Sequence, residues 1–239
     1  MRRERLTYEA DGLTLRSELF VADGAGRRPG VLVFPEAFGL GDHALGRAER
    51  LAGMGYVALA CDLHGDGLLV DDLATAIELL QPMYADPAKT RARAAAGLAA
   101  LCARPEVDPS RIAAIGFCFG GTMALELARS GAAIQAVVGF HSGLRTVAPA
   151  AAGAIAARIL VCIGADDPFI PPEQRADFEA EMRAADADWQ MHLYGGTVHS
   201  FTNRAAAKVG KPDAVRYDAL ADARSWAAME ALFGETLRG

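Results

Sequence analysis

Short apolar runs alternate along the chain with longer stretches in which apolar residues return every three or four positions. Val31 to Phe34, Tyr56 to Ala60, Arg111 to Ile115, Gln135 to Phe140, Ile159 to Ile163 and Trp189 to Tyr194 read as strands. Helical spacing, supported by alanine enrichment, covers His43 to Met54, Asp71 to Leu80, Pro87 to Ala103, Gly121 to Arg129, Pro172 to Ala185 and Asp213 to Leu237. Near the N-terminus, Leu6 to Glu9 and Leu13 to Val21 flank the turn dipeptide Asp11-Gly12 and predict a hairpin. The pattern therefore predicts an α/β class: a mostly parallel sheet with helices on both faces and an N-terminal antiparallel hairpin. Ala148 to Ala157, with Pro149 and Gly153, reads as a loop, and no internal repeat is apparent.

Three strand ends carry candidate chemistry. After Arg111 to Ile115 comes Gly116-Phe117-Cys118-Phe119-Gly120-Gly121, a G-x-C-x-G elbow that places Cys118 between a strand and the N-terminus of a helix. Glycines relieve crowding at such a turn, and the helix terminus favours negative charge on the sulfur. A small buried thiol beside a tight turn would read the same way, so the partners decide. The strand Ile159 to Ile163 runs into Asp166-Asp167-Pro168-Phe169-Ile170-Pro171, and Trp189 to Tyr194 into the loop of His199-Ser200-Phe201. Nucleophile, acid and histidine in that chain order match the α/β-hydrolase arrangement. Both aspartates compete for the acid; Asp167 is preferred because the Pro-Phe-Ile-Pro segment follows it directly and stiffens its loop.

These residues give the chain its resemblance to the dienelactone hydrolase family of cysteine-nucleophile α/β-hydrolases. The elbow GFCFGG, the segment DPFIP, the His199-Ser200-Phe201 loop and Phe34-Pro35-Glu36-Ala37-Phe38-Gly39 are similar to family motifs, and the similarity spans nearly the whole chain. The resemblance implies a small ester or lactone substrate, an acyl-cysteine intermediate and no cofactor. It implies that Glu36 contacts the resting thiol of Cys118, and that the backbone amides of Ala37 and Phe119 form the oxyanion hole. The two arginines that anchor a substrate carboxylate in the family do not carry over: Asp66 and Asn203 stand in their places, with Arg204 shifted by one. An anionic substrate facing Asp66 would be repelled, so an uncharged ester, lactone or thioester is expected. His64, Asp66, His141, Asn203 and Arg204 are the expected pocket lining. The alternative is a non-catalytic or redox-responsive binding protein on the same scaffold.

Composition narrows the classes. The 239 residues, 52% of them hydrophobic, suit a single α/β-hydrolase domain over 1–239. A net charge of −6, with no basic run beyond Arg2, Arg3 and Arg5, argues against nucleic acid as a partner. No apolar leader or bilayer-length apolar stretch is visible, which points away from membranes and to the cytoplasm. Cys61, Cys102, Cys118 and Cys162 lack C-x-x-C spacing, and His64 with Asp66 makes too sparse a ligand set, so no metal is expected. Cys61 and Cys162 read as buried, inert thiols. His43 and His192 are assigned structural or surface roles, and the choice between monomer and homodimer stays open.

Overall fold

The computed structural model describes residues 1–24 and 26–237. Eight strands, β1 (Arg2–Ala10), β2 (Leu13–Val21), β3 (Arg28–Phe34), β4 (Val57–Ala60), β5 (Val107–Phe117), β6 (Ala136–Phe140), β7 (Arg158–Gly164) and β8 (Trp189–Tyr194), form one sheet in the order β1-β2-β4-β3-β5-β6-β7-β8. The β1–β2 and β2–β4 pairs are antiparallel, and every later pair is parallel. Asp11 and Gly12 turn the hairpin with positive φ values of 51° and 72°, the left-handed geometry that this dipeptide favours.

Successive side chains of a strand point to opposite faces, so each central strand feeds two cores. Along β5, Ile112 and Ala114 enter one apolar cluster, while Ala113, Ile115 and Phe117 enter the other. Helices α1 (Asp42–Gly53) and α6 (Ala219–Thr236) cover the second cluster with Leu51, Trp226, Met229 and Phe233. The first is covered by α2 (Leu73–Ala85), α3 (Pro87–Cys102), α4 (Phe119–Arg129) and α5 (Pro172–Ala184).

Two helix boundaries differ from the sequence expectation by more than two residues. α2 runs through Pro82 to Ala85 instead of stopping at Leu80. An interior proline costs about 3 kcal/mol, but the extra turn of helix buries Met83 in the core and brings Tyr84 to the cavity that also holds Cys118. The last helix begins at Ala219 and not at Asp213, because Asp218 caps it by accepting the amides of Leu220 and Ala221. Residues 213–218 instead stay in the loop that supports His199, where Val215 bridges to it in parallel register.

Candidate active site

Glu36, Cys118, His141, Asp167 and His199 all follow the carboxyl ends of parallel strands, the edge at which open α/β sheets bind ligands. Cys118 occupies the N-cap of α4 with φ 53° and ψ −120°, a strained conformation for a residue with a side chain. The turn closes only because its flanks are glycine. A Cβ on Gly116 would sit 2.0 Å from the Gly120 carbonyl oxygen, and one on Gly120 would sit 2.3 Å from those of Phe34 and Pro35. The Cys118 amide is held by the Phe140 carbonyl at 3.0 Å and by His141 Nδ1 at 3.2 Å.

Asp167 is buried and Asp166 is exposed. Asp167 Oδ1 accepts the Phe169 amide at 2.9 Å, and Oδ2 accepts His199 Nδ1–H at 2.7 Å. That bond directs the other ring nitrogen of His199 away from the carboxylate, while the ring packs edge-on between Phe169 and His141. Burial pushes His199 down, but the charge on Cys118 and the hydrogen bond to Asp167 outweigh it and raise the imidazolium pKa to about 10.

Cys118, His199, Glu36, Ala37 and Phe119 share a cavity of about 410 Å³. Neither the Ala37 nor the Phe119 N–H finds an acceptor among the described residues, which leaves both donors for a ligand. Ala37 is fixed through its other peptide: His64 Nε2–H donates to the Ala37 carbonyl oxygen at 2.8 Å. Burial holds His64 below its ordinary pKa. Its loop is in turn stitched down by Asp62, whose carboxylate accepts the amides of Arg16, His64, Gly65 and Gly67.

Several expectations require correction. Glu36 makes no hydrogen bond to Cys118 among the described residues. Its Oε1 accepts Ser200 Oγ–H at 2.7 Å and its Oε2 accepts the Asn203 amide, so neighbouring polar side chains satisfy the carboxylate in place of the thiol. None of His64, Asp66, His141, Asn203 and Arg204 lines the cavity that holds Cys118. Asp66 is exposed, with Oδ1 paired to Arg16 at 2.9 Å, because its left-handed backbone turns the loop outward. Arg204 lies over the Tyr217 ring, and Asn203 faces an adjoining cleft on the other side of Glu36.

The wall is instead largely apolar, drawn from Phe38, Phe169, Ile170 and Val215 and from Leu73, Ile77, Leu80 and Tyr84 of α2. Those α2 residues recur at helical spacing, a signal that reads as core burial unless the facing surface is known to be a cavity. Cys61 and Cys162 are buried, and burial raises both thiols to about 12.

Residues 15–237 match the model of the dienelactone hydrolase family. The chain belongs to the dienelactone hydrolase family. It is a hydrolase of the carboxylic ester and lactone class. A solved structure named m3DLH shares 48% identity at a TM-score of 0.94 and covers 99% of each chain. The crystal structure of a dienelactone hydrolase-like promiscuous phosphotriesterase from metagenomic libraries shares 46% identity at a TM-score of 0.93, again over 99% of each chain. A probable 2-oxo-3-(5-oxofuran-2-ylidene)propanoate lactonase of Bradyrhizobium sp is 31% identical over 190 residues, 74% of either chain. No helix among the described residues is long and apolar enough to cross a membrane.

Proposed function

We propose that the protein hydrolyses small uncharged esters and lactones through an acyl-cysteine intermediate, with Cys118, His199 and Asp167 acting together. The observation that carries this reading is the opening of Cys118, His199 and two unpaired amides onto one apolar cavity, with His199 held by Asp167. The Cys118 sulfur attacks the carbonyl carbon, and the developing oxyanion takes the N–H groups of Ala37 and Phe119. Collapse breaks the bond to the leaving oxygen, which receives the proton of the His199 imidazolium. The neutral imidazole then deprotonates a water that attacks the acyl carbon. The second collapse expels the Cys118 sulfur and returns the charge pair.

Glu36 borders the same cavity as Cys118. Its negative charge disfavours an anionic substrate and tunes the ionisation of the thiol. The decisive test is Cys118→Ala, assayed on p-nitrophenyl esters, together with rapid-quench mass spectrometry of the wild type. Lost turnover and an acyl adduct confined to Cys118 support the reading. Unchanged turnover in the variant overturns it.

A second reading concerns neutral phosphotriesters, in line with the activity named for the relative at 46% identity. The apolar walls suit an uncharged triester, and the same two amides can take its phosphoryl oxygen. Release of p-nitrophenol from a neutral p-nitrophenyl phosphotriester, lost in Cys118→Ala, is the corresponding test.

A further inference from the structure

Behind the Cys118 elbow lies a run of buried polar side chains that hydrolysis itself does not use. A backbone N–H can only donate, so His141 Nδ1, 3.2 Å from the Cys118 nitrogen, is an acceptor and carries no proton. The His141 proton therefore sits on Nε2 and is donated to Thr202 Oγ1 at 2.8 Å. Thr202 has its own hydrogen to place, and His43 Nε2 stands 3.2 Å from its oxygen. In the tautomer in which Nε2 accepts that hydrogen, the proton of neutral His43 is on Nδ1. That nitrogen is buried with no hydrogen-bond partner among the described residues, and Oε2 of Glu36 is 3.7 Å away.

Every donor in this chain points the same way, from the nucleophile's backbone to the carboxylate on the wall of its cavity. The first donor is an amide that cannot release its proton at any working pH, so the chain carries no proton to the sulfur. Its effect is orientation. The charged groups facing His43 are Glu36, Arg47 and Asp222; Arg47 and Asp222 are already paired at 2.8 Å, which leaves Glu36, bonded to Ser200 and Asn203, as the carboxylate able to take one more donor. The Phe117 ring packs edge-on against His43 at 4.5 Å and fixes the imidazole plane. Burial, the largest influence, keeps His43 below its ordinary pKa and therefore neutral.

We propose that His43 is a positioning residue for Glu36: its Nδ1–H closes on Oε2 and holds the ionised carboxylate on the Ser200 and Asn203 side, away from the Cys118 sulfur. The inference rests on the reading of Cys118 as nucleophile and adds the group that sets which way Glu36 faces. Without that donor, only Ser200 and Asn203 hold Glu36, and it turns more readily towards the thiol and holds it protonated.

The test is the rate of Cys118 alkylation by iodoacetamide against pH, which needs no turnover. A failed hydrolase reading would show as absent ester cleavage in the wild type and would leave the alkylation comparison intact. His43→Phe keeps the ring packing and removes the donor; alkylation near neutral pH should slow roughly tenfold, the weight of one hydrogen bond to a carboxylate, and its pH profile should shift upward. His43→Asn puts an amide N–H close to the place of Nδ1 and should recover much of the loss. In a Glu36→Gln background, His43→Phe should have no further effect. Should His43→Phe not fold, His43→Asn and His43→Leu form a volume-matched pair in which only the first retains a donor. A profile unchanged by loss of the donor, or an effect that persists undiminished in Glu36→Gln, overturns the proposal.

Discussion

Asp167 and His199 lie 32 residues apart in sequence and meet at 2.7 Å, with the carboxylate buried and its second oxygen occupied by the Phe169 amide. That second bond fixes the plane of the carboxylate and hence the tilt of the imidazole. Asp167→Asn should keep the fold while presenting an amide that can stabilise the wrong tautomer, lowering kcat roughly a thousandfold or more. Exposed Asp166→Asn should stay within about twofold. Steady-state kinetics on an activated aryl ester rank the two; the opposite ranking moves the acid to Asp166.

His199 combines a burial penalty with two stabilising partners, and the partners win, raising its pKa to about 10. A folded-state pKa above the unfolded value of about 6.5 stabilises the fold fully below pH 6.5, and that contribution is lost as pH rises through about 10. Cys118→Ala removes the charge that raises it most, so burial should pull the imidazole pKa down. NMR of the His199 ring should show the charged form at neutral pH in the wild type and a lower titration midpoint in the variant. An unchanged midpoint would show that Asp167 alone sustains the charge.

The sheet and the three strand-end loops are legible because each rests on local chemistry. Apolar runs set the strands, Asp11-Gly12 the hairpin, and glycines at 116 and 120 the elbow around Cys118. The cavity walls are not legible in this way. Leu73, Ile77, Leu80 and Tyr84 carry the same helical spacing whether they cover a core or a ligand, and only the placement of α2 over the sheet edge decides. The outward turn at Asp66 and the bonding of Glu36 to Ser200 and Asn203 depend on side-chain directions that spacing does not encode. Thr202 and His43 escape a motif search for the same reason, since 159 residues separate them in sequence.

His64 reaches the loop of the proposed oxyanion amide through the Ala37 carbonyl, so its loss should leave the Ala37 amide free to drift from its aim. His64→Phe should lower kcat by roughly ten- to a hundredfold with little change in KM, because an amide aimed at the oxyanion works mainly in the transition state. His64→Gln retains an N–H and should recover part of the rate. Equal losses of kcat and melting temperature in both variants would assign His64 to packing alone.

Arg129 on α4 is buried, bonds Glu126 at 3.0 Å, Glu181 at 2.7 Å and the Leu144 carbonyl at 2.8 Å, and so ties α4 to α5 and to the segment after β6. Arg91 of α3 reaches the same Glu126 at 2.8 Å. Arg129→Met fills much of the volume but leaves buried carboxylate charge under-compensated, which should cost about 3 kcal/mol in urea unfolding. Pairing it with Glu126→Gln should recover part of that loss. A cost below about 1 kcal/mol would mean that Arg91 and solvent already neutralise the cluster.

Substrate charge is the last point on which the structure makes a commitment. Asp66 turns outward to Arg16, so it repels nothing in the cavity, and Asn203 is spent on Glu36. The cavity therefore presents the Glu36 carboxylate, apolar walls, His199 beside Cys118 and, at its exposed edge, Arg145. A single exposed arginine is a weak anchor, because solvent and salt screen it. Neutral p-nitrophenyl esters should exceed carboxylate-bearing analogues of matched size in kcat/KM by roughly tenfold, the scale of one like-charge contact in a partly screened site. Arg145→Ala should then widen the ratio only slightly. If the anionic ester is preferred and Arg145→Ala abolishes that preference, Arg145 has taken the place of the missing arginines and the protein is built for an acidic substrate after all.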